Sequence, residues 1–179
     1  MMNKEVLGSV MLDEETIAKR VKELGEQISA DYDRDYSGEP VIMICILKGA
    51  SIFAGDLLKK LTLDARIDFM AVSSYGASTK SSGVVKINKD LDTSIEGKNV
   101  LIVEDIIDSG LTLHYLIKSL WGRNPKSIKV CTLLDKPARR KVDMKADYVG
   151  FEIENRFIVG YGLDYDEKYR NLPYITCLE

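Results

Sequence analysis

Ile17, Val21, Leu24 and Ile28 recur at alternating four- and three-residue spacings, which puts them on one face of a helix running from Asp13 to about Ala30. Asp13 suits the N-cap of that helix, because a short carboxylate can accept from the free N–H groups of the first turn. The pattern then changes. Val41-Ile42-Met43-Ile44-Cys45-Ile46-Leu47 is continuously apolar and rich in branched residues, as expected of a strand covered on both faces. Phe53, Leu57, Leu58 and Leu61 return to helical spacing. Ala65 to Ser73 alternates Ile67, Phe69 and Ala71 against polar neighbours and predicts another strand, and Val84 to Asp90 alternates again as the returning arm of a hairpin. Asn99 to Val103 and Ile128 to Leu134 read as buried strands with a helix from about Thr112 to Trp121 between them. Tyr148 to Phe151 and Ile158 to Tyr161 are expected as shorter strands.

Buried strand followed by helix, repeated along the chain, predicts an α/β fold with a mainly parallel central sheet flanked by helices on both sides. The 179 residues suit a single domain spanning 1–179, long enough to bury a core without disulfide or metal staples. Two polar stretches interrupt the pattern. Asp31 to Pro40 is charged and carries the turn signal Ser37-Gly38. Tyr75 to Gly83 is rich in Gly, Ser, Thr and Lys with almost nothing to pack, and reads as a mobile loop inside the domain.

Charge and cysteine content narrow the partners. With 25 basic against 28 acidic residues the net charge is -3, and the basic excess of a duplex-binding module is missing. Nucleic acid is therefore not expected as a partner, although backbone dipoles can still hold a small anion. Cys45, Cys131 and Cys177 are far apart and form no CxxC pair, which argues against a disulfide framework or a zinc site. The chain starts Met1-Met2-Asn3-Lys4-Glu5 and leads into acidic, helix-like sequence without an apolar signal region. The longest apolar run, Val41 to Leu47, is too short to cross a bilayer. No membrane partner is expected, and the expected location is cytoplasmic.

The candidate chemistry lies just past the strand at Asn99–Val103. In open parallel sheets, ligands sit beyond the C-terminal strand ends. There Asp108-Ser109-Gly110-Leu111-Thr112 leads from strand into helix. Gly110 permits a tight turn, successive N–H groups can converge on one anion, and the helix N-terminus adds positive potential. Ser109 and Thr112 add hydroxyl donors. The result is a phosphate cradle, distinct from the GxxxxGK[ST] nucleotide loop, which the chain lacks. Two readings of the adjacent pair Glu104-Asp105 stay open on these grounds alone. The carboxylates either cap loop N–H groups or accept from a diol and face a hard cation. Asp108, at the passage from strand to helix, reads on the same grounds as a helix N-cap.

The segment Val103-Glu104-Asp105-Ile106-Ile107-Asp108-Ser109-Gly110-Leu111-Thr112 resembles the phosphoribosyl-pyrophosphate (PRPP) signature of the type I phosphoribosyltransferases. Leu47-Lys48-Gly49, Ser74-Tyr75-Gly76, Leu133-Leu134-Asp135-Lys136-Pro137-Ala138-Arg139-Arg140 and Phe157 to Tyr165 follow in the family's order and are similar to its hypoxanthine-guanine branch. That resemblance implies the type I phosphoribosyltransferase fold, with a small hood and a mobile loop beside the parallel sheet. It further implies a Mg²⁺-dependent purine-salvage enzyme that moves the 5-phosphoribosyl group of PRPP to N9 of hypoxanthine or guanine, giving IMP or GMP and pyrophosphate.

Residue roles follow from the same resemblance. Glu104 and Asp105 would hold the ribose hydroxyls and Mg²⁺, and Asp108, Ser109, Gly110, Leu111 and Thr112 the 5′-phosphate, with Asp108 also the base at purine N7. Lys48 and Gly49, following a peptide that is often cis in the family, would meet pyrophosphate, as would Arg170. Lys136 would donate to the purine 6-oxo group and reject a 6-amino group. Phe157 would stack on the purine, the Ile158 backbone would touch its edge, and Asp164 would reach a second metal or the base edge. Ser74 and Tyr75 would belong to a lid over Ser73–Gly83 that keeps water from an oxocarbenium-like centre. A homodimer or homotetramer is expected by analogy. The remainder of the basic run from Lys136 to Lys145, Arg139 and Arg140 included, reads as a solvated face, and the single histidine, His114, as structural or superficial. A regulatory nucleic-acid-binding relative and a xanthine-preferring enzyme are the competing readings.

Overall fold

In the computed structural model, which describes residues 7–74 and 85–178, the chain enters through a strand, β1 (Leu7–Leu12), where the sequence pattern suggested none. Helix α1 (Glu14–Tyr36) starts where expected: Asp13 Oδ1 accepts from Thr16 N at 2.7 Å, and Glu14 and Glu15 complement the helix dipole in the first turn. It runs on to Tyr36 rather than ending near Ala30. Tyr32 and Tyr36 extend the Ile28 spacing by fours, so the apolar face continues under charged residues that resemble a loop. The helix closes on Ser37, whose backbone is left-handed at φ 52° and whose N–H donates to Asp33 O.

The chain continues through β2 (Val41–Leu47), α2 (Ser51–Leu58), β3 (Ala65–Ser74), β4 (Val85–Lys89), β5 (Asn99–Ile107), α3 (Leu111–Trp121), β6 (Ser127–Asp135) and β7 (Tyr148–Glu152). The six central strands lie in the order β4-β3-β2-β5-β6-β7, all neighbours parallel except the β3–β4 hairpin. Strand period two splits the core in two. Val41, Met43 and Cys45 of β2 face α1 and α2 together with Leu101, Val103 and Cys131. Ile42, Ile44 and Ile46 face α3, whose Leu113, Leu116 and Leu120 cover Val100, Ile102 and Val130. This explains the continuous apolar runs: both faces of the sheet are dry. Ser74 ends β3, its backbone opposite Val85; Tyr75 and the rest of the expected lid lie outside the described residues.

A second sheet forms the hood. β8 (Ile158–Val159) pairs antiparallel with β9 (Ile175–Leu178), and β9 with β1. Fully buried Thr176 joins β9 to β1 through Oγ1, whose single hydrogen is shared between Gly8 O at 2.8 Å and Ser9 O at 2.9 Å. No described helix is long and apolar enough to cross a membrane.

Candidate functional site

From β2 the chain crosses through α2 to β3 on one side, and from β5 through α3 to β6 on the other. The strand order therefore diverges between β2 and β5, and a crevice opens beyond their C-terminal ends. Lys48 and Gly49 follow β2 there, and the Leu47–Lys48 peptide is cis. Gly49 admits no side chain: a Cβ would overlap the Asp105 carboxylate. Gly162, at φ +101°, is packed as closely, since a Cβ there would overlap Gly49 O. Backbone from two separate segments thus converges on one point beside the Asp105 carboxylate, which favours glycine in both.

Strand β5 continues through Ile107, so Glu104 and Asp105 lie within it rather than in a loop after Val103; Glu104 still pairs with Thr132 of β6. Each carboxylate accepts one backbone N–H, Glu104 Oε1 from Asp105 N at 3.2 Å and Asp105 Oδ1 from Ile106 N at 2.7 Å. That is less than two ionised groups require. Burial, and then the neighbouring Asp105, push the Glu104 carboxyl well above the usual carboxylate range. Burial also raises Asp105, against the opposing pull of its hydrogen bonds and of Arg170. The pair is a desolvated, under-compensated anion. A cation and hydroxyl donors would satisfy it.

Beyond Ile107 the backbone turns through Asp108, Ser109 and Gly110, which is left-handed at φ 77°, and enters α3 at Leu111 with no side-chain cap. Asp108 is therefore not the helix N-cap. Its carboxylate instead accepts from Arg139 Nε at 3.0 Å. Ser109 Oγ accepts from Leu111 N at 3.4 Å. The N–H groups of Ser109, Gly110 and Thr112 have no acceptor among the described residues. They surround a concavity of about 140 Å³ lined also by Glu104 and Ile107. A roomier cleft of about 430 Å³ lies between α1 and α2, lined also by Lys59, Lys60 and Asn171; Tyr161 Oη at its edge donates to Asp56.

The other wall is built from β6, β8 and the segment after it. Lys136 N donates to Ile107 O at 3.0 Å, tying the end of β6 to the start of the 108–112 loop. The Lys136 side chain is buried, and Nζ donates to Arg156 O at 2.7 Å, leaving donor capacity to spare. Burial lowers the pKa of its ammonium, opposed by the Asp108 carboxylate. Phe157 is 56% exposed, which removes the alternative of a core phenylalanine, and it meets Tyr165 edge-on with centroids 5.6 Å apart. Ile158 is buried within β8. Asp164 is engaged by Arg170 Nη2 at 2.8 Å and by Glu167 N at 2.9 Å, while Arg170 Nη1 donates to Gly162 O at 2.7 Å. Arg170 Nε is buried without a partner. Lys48 Nζ pairs with Glu167 at 2.9 Å. His114 is exposed on α3.

Lys48, Gly49, Glu104, Asp105 and residues 108–112 thus share one end of the sheet with Lys136. Arg139 is exposed, as the solvated face assigned to it requires, although it pairs with Asp108; sequence reasoning passed over Arg140, which leaves that face and is largely shielded against Asp135. Asp135, an acid at the end of an apolar strand just ahead of a basic run, was the available signal. Tyr165 went unread for its packing on Phe157.

Residues 11–166 match the family profile described as phosphoribosyl transferase domain. The hypoxanthine-guanine phosphoribosyltransferase of Bacillus subtilis is 55% identical over 178 residues, covering 99% of this chain and 97% of that protein. The enzyme of the same name from Mycobacterium tuberculosis is 55% identical over 176 residues, covering 97% and 87%. A crystal structure of a Staphylococcus aureus hypoxanthine phosphoribosyltransferase superposes with a TM-score of 0.93 at 49% identity, over 100% of this chain and 97% of that one.

Proposed function

The chain belongs to the phosphoribosyl transferase domain family, and we propose that it acts as a single-domain purine-salvage enzyme carrying the 5-phosphoribosyl group of PRPP to N9 of hypoxanthine or guanine. IMP or GMP and pyrophosphate are the products. The observation that carries this reading is the half-buried, under-compensated pair Glu104-Asp105 beside the N–H groups of Ser109, Gly110 and Thr112, which have no acceptor among the described residues. A ribose 5-phosphate offers hydroxyls to the first and an anion to the second.

Each wall then has a task. The 108–112 loop fixes the 5′-phosphate, and Glu104 and Asp105 accept from the ribose hydroxyls, so that the anomeric carbon is held in place while its bond to pyrophosphate lengthens. The N–H groups following the Leu47–Lys48 peptide face the departing pyrophosphate, as does the Arg170 guanidinium once it turns from Asp164 and Gly162. Lys136 donates to O6 of the purine, Phe157 stacks on the ring, and the Ile158 backbone meets its edge. Asp108 accepts the N7 proton, for which Arg139 must yield its hold on the carboxylate.

The donor set fits Mg²⁺. Among the described residues no group of three or more acidic, histidine or cysteine side chains gathers at one point, so the protein offers a carboxylate pair, as suits an ion that keeps waters and substrate oxygens. When bound, Mg²⁺ would neutralise the developing pyrophosphate charge. Asp164 could contribute there once released by Arg170. Assembly as a homodimer or homotetramer and a cytoplasmic location complete the reading.

Initial rates with PRPP and Mg²⁺ against hypoxanthine, guanine, xanthine and adenine test it. Hypoxanthine and guanine should turn over, adenine should not, and chelation by EDTA should abolish activity until Mg²⁺ is restored. Adenine turnover rivalling that of hypoxanthine would remove Lys136 as the selector.

A further inference from the structure

The phosphate loop turns its carbonyls to the back. Arg140 Nη1 donates to Asp108 O at 2.7 Å, and Lys141 N donates to Ser109 O at 2.9 Å. In a planar trans peptide the carbonyl and the following N–H point in opposite directions. Anchoring Asp108 O therefore aims Ser109 N–H the other way, and anchoring Ser109 O does the same for Gly110 N–H. Those are two of the three N–H groups of the loop that have no acceptor among the described residues.

Arg140 is itself held. Its Nη2 pairs with the Asp135 carboxylate, and both side chains are largely shielded from water. The Arg140 stem packs beneath the turn, where a Cβ on Gly110 would lie 3.1 Å from Arg140 Cδ. Because Asp135 neutralises the guanidinium, the contribution of Arg140 is orientation more than positive charge. An arginine fork can serve a carboxylate and a carbonyl at once; a lysine ammonium cannot reproduce that planar, two-headed geometry.

We propose that Arg140, anchored by Asp135, is a positioning residue that sets the peptide plane of Asp108–Ser109, beside the plane that Lys141 N holds at Ser109–Gly110, and thereby the affinity of the loop for the donor's 5′-phosphate. The inference rests on the phosphoribosyl-transfer reading. It assigns work to a residue that touches no substrate.

Three variants test it. Arg140→Met removes the fork, Arg140→Met with Asp135→Asn does so without leaving a buried carboxylate unpaired, and Arg140→Lys keeps the charge opposite Asp135. Calorimetry with ribose 5-phosphate, the phosphate-bearing part of the donor alone, should show binding weakened roughly 10- to 100-fold in the first two and by a smaller factor in the third. KM for PRPP should rise in parallel, while KM for hypoxanthine at saturating PRPP changes by less than about threefold and the melting temperature of the double variant stays within about 5 °C of wild type. A loss confined to the donor is what a merely structural role would not produce. Ribose 5-phosphate affinity within about threefold of wild type in any folded variant overturns the proposal, as does an equal loss for donor and purine. If only Arg140→Lys folds, native affinity in it is sufficient to overturn. Wild-type turnover with PRPP is scored separately: an inactive wild type sinks the phosphoribosyl-transfer reading, whereas an active wild type with an indifferent Arg140 variant sinks only this one.

Discussion

Asp108 projects from a turn whose carbonyls are tied down, and its only side-chain partner among the described residues is the Arg139 guanidinium. Since α3 takes no cap from it, replacing the carboxylate should leave the helix in place. Asp108→Asn is expected to reduce kcat by roughly 100- to 10,000-fold while the melting temperature stays near that of wild type. Steady-state kinetics paired with a thermal melt measures both; a fall in stability with kcat preserved would return Asp108 to a structural role. At this scale the acidic signature was legible because its residues are contiguous and of unusual type for a strand end. Arg140 was not legible. In Lys136-Pro137-Ala138-Arg139-Arg140-Lys141 no period distinguishes the buried guanidinium from its exposed neighbour, and only the three-dimensional return of residues 139–141 beneath the loop separates them.

Helix α1 gives the element scale its clearest titration. The Thr16 N–H holds the Asp13 carboxyl below its usual range. A folded-state pKa depressed in this way contributes stability above the unfolded value of about 3.9, and that contribution disappears as pH falls through the folded value. Asparagine at Asp13 can still cap but cannot titrate. The difference in unfolding free energy between wild type and Asp13→Asn should therefore be flat from about pH 7 to pH 5 and shrink below about pH 4 in urea titrations. A difference that persists unchanged to about pH 3 would mean that Thr16 does not depend on the ionised form. The starts of elements were legible through such caps and through changes of period. The ends were less so. α1 outran its expected end because Tyr32 and Tyr36 keep the face under a charged exterior, and β5 outran its own because pairing with β6 carries two acids within a strand. β1 and β9 were missed altogether, being six and four residues long with no flanking pattern.

Across the whole molecule, the proposed donor and acceptor walls stand on different sheets. The phosphate loop hangs from the central sheet, whereas Phe157 leads into β8, and its carbonyl accepts from Leu178 N of β9 at 3.0 Å. Thr176→Val removes the hydroxyl that bonds Gly8 and Ser9 while keeping its shape, and should lower unfolding stability by about 1–3 kcal/mol in urea melts. Ribose 5-phosphate affinity should be unaffected in the same protein. A parallel loss of that affinity would show that hood and phosphate loop respond as one unit.

The hood shares no strand with the sheet that bears the phosphate loop, and this bears on how such a protein can change under selection. Apart from Lys136, the groups proposed to choose the acceptor are clustered late in the chain, beside the sheet of β1, β9 and β8. Mutations at Phe157 and in β8 can accumulate, or a library can be confined there, while Gly162, Asp164 and Arg170 are kept for the grasp on an activated sugar phosphate. A new nucleobase could then be adopted by a chassis whose donor chemistry is already in place.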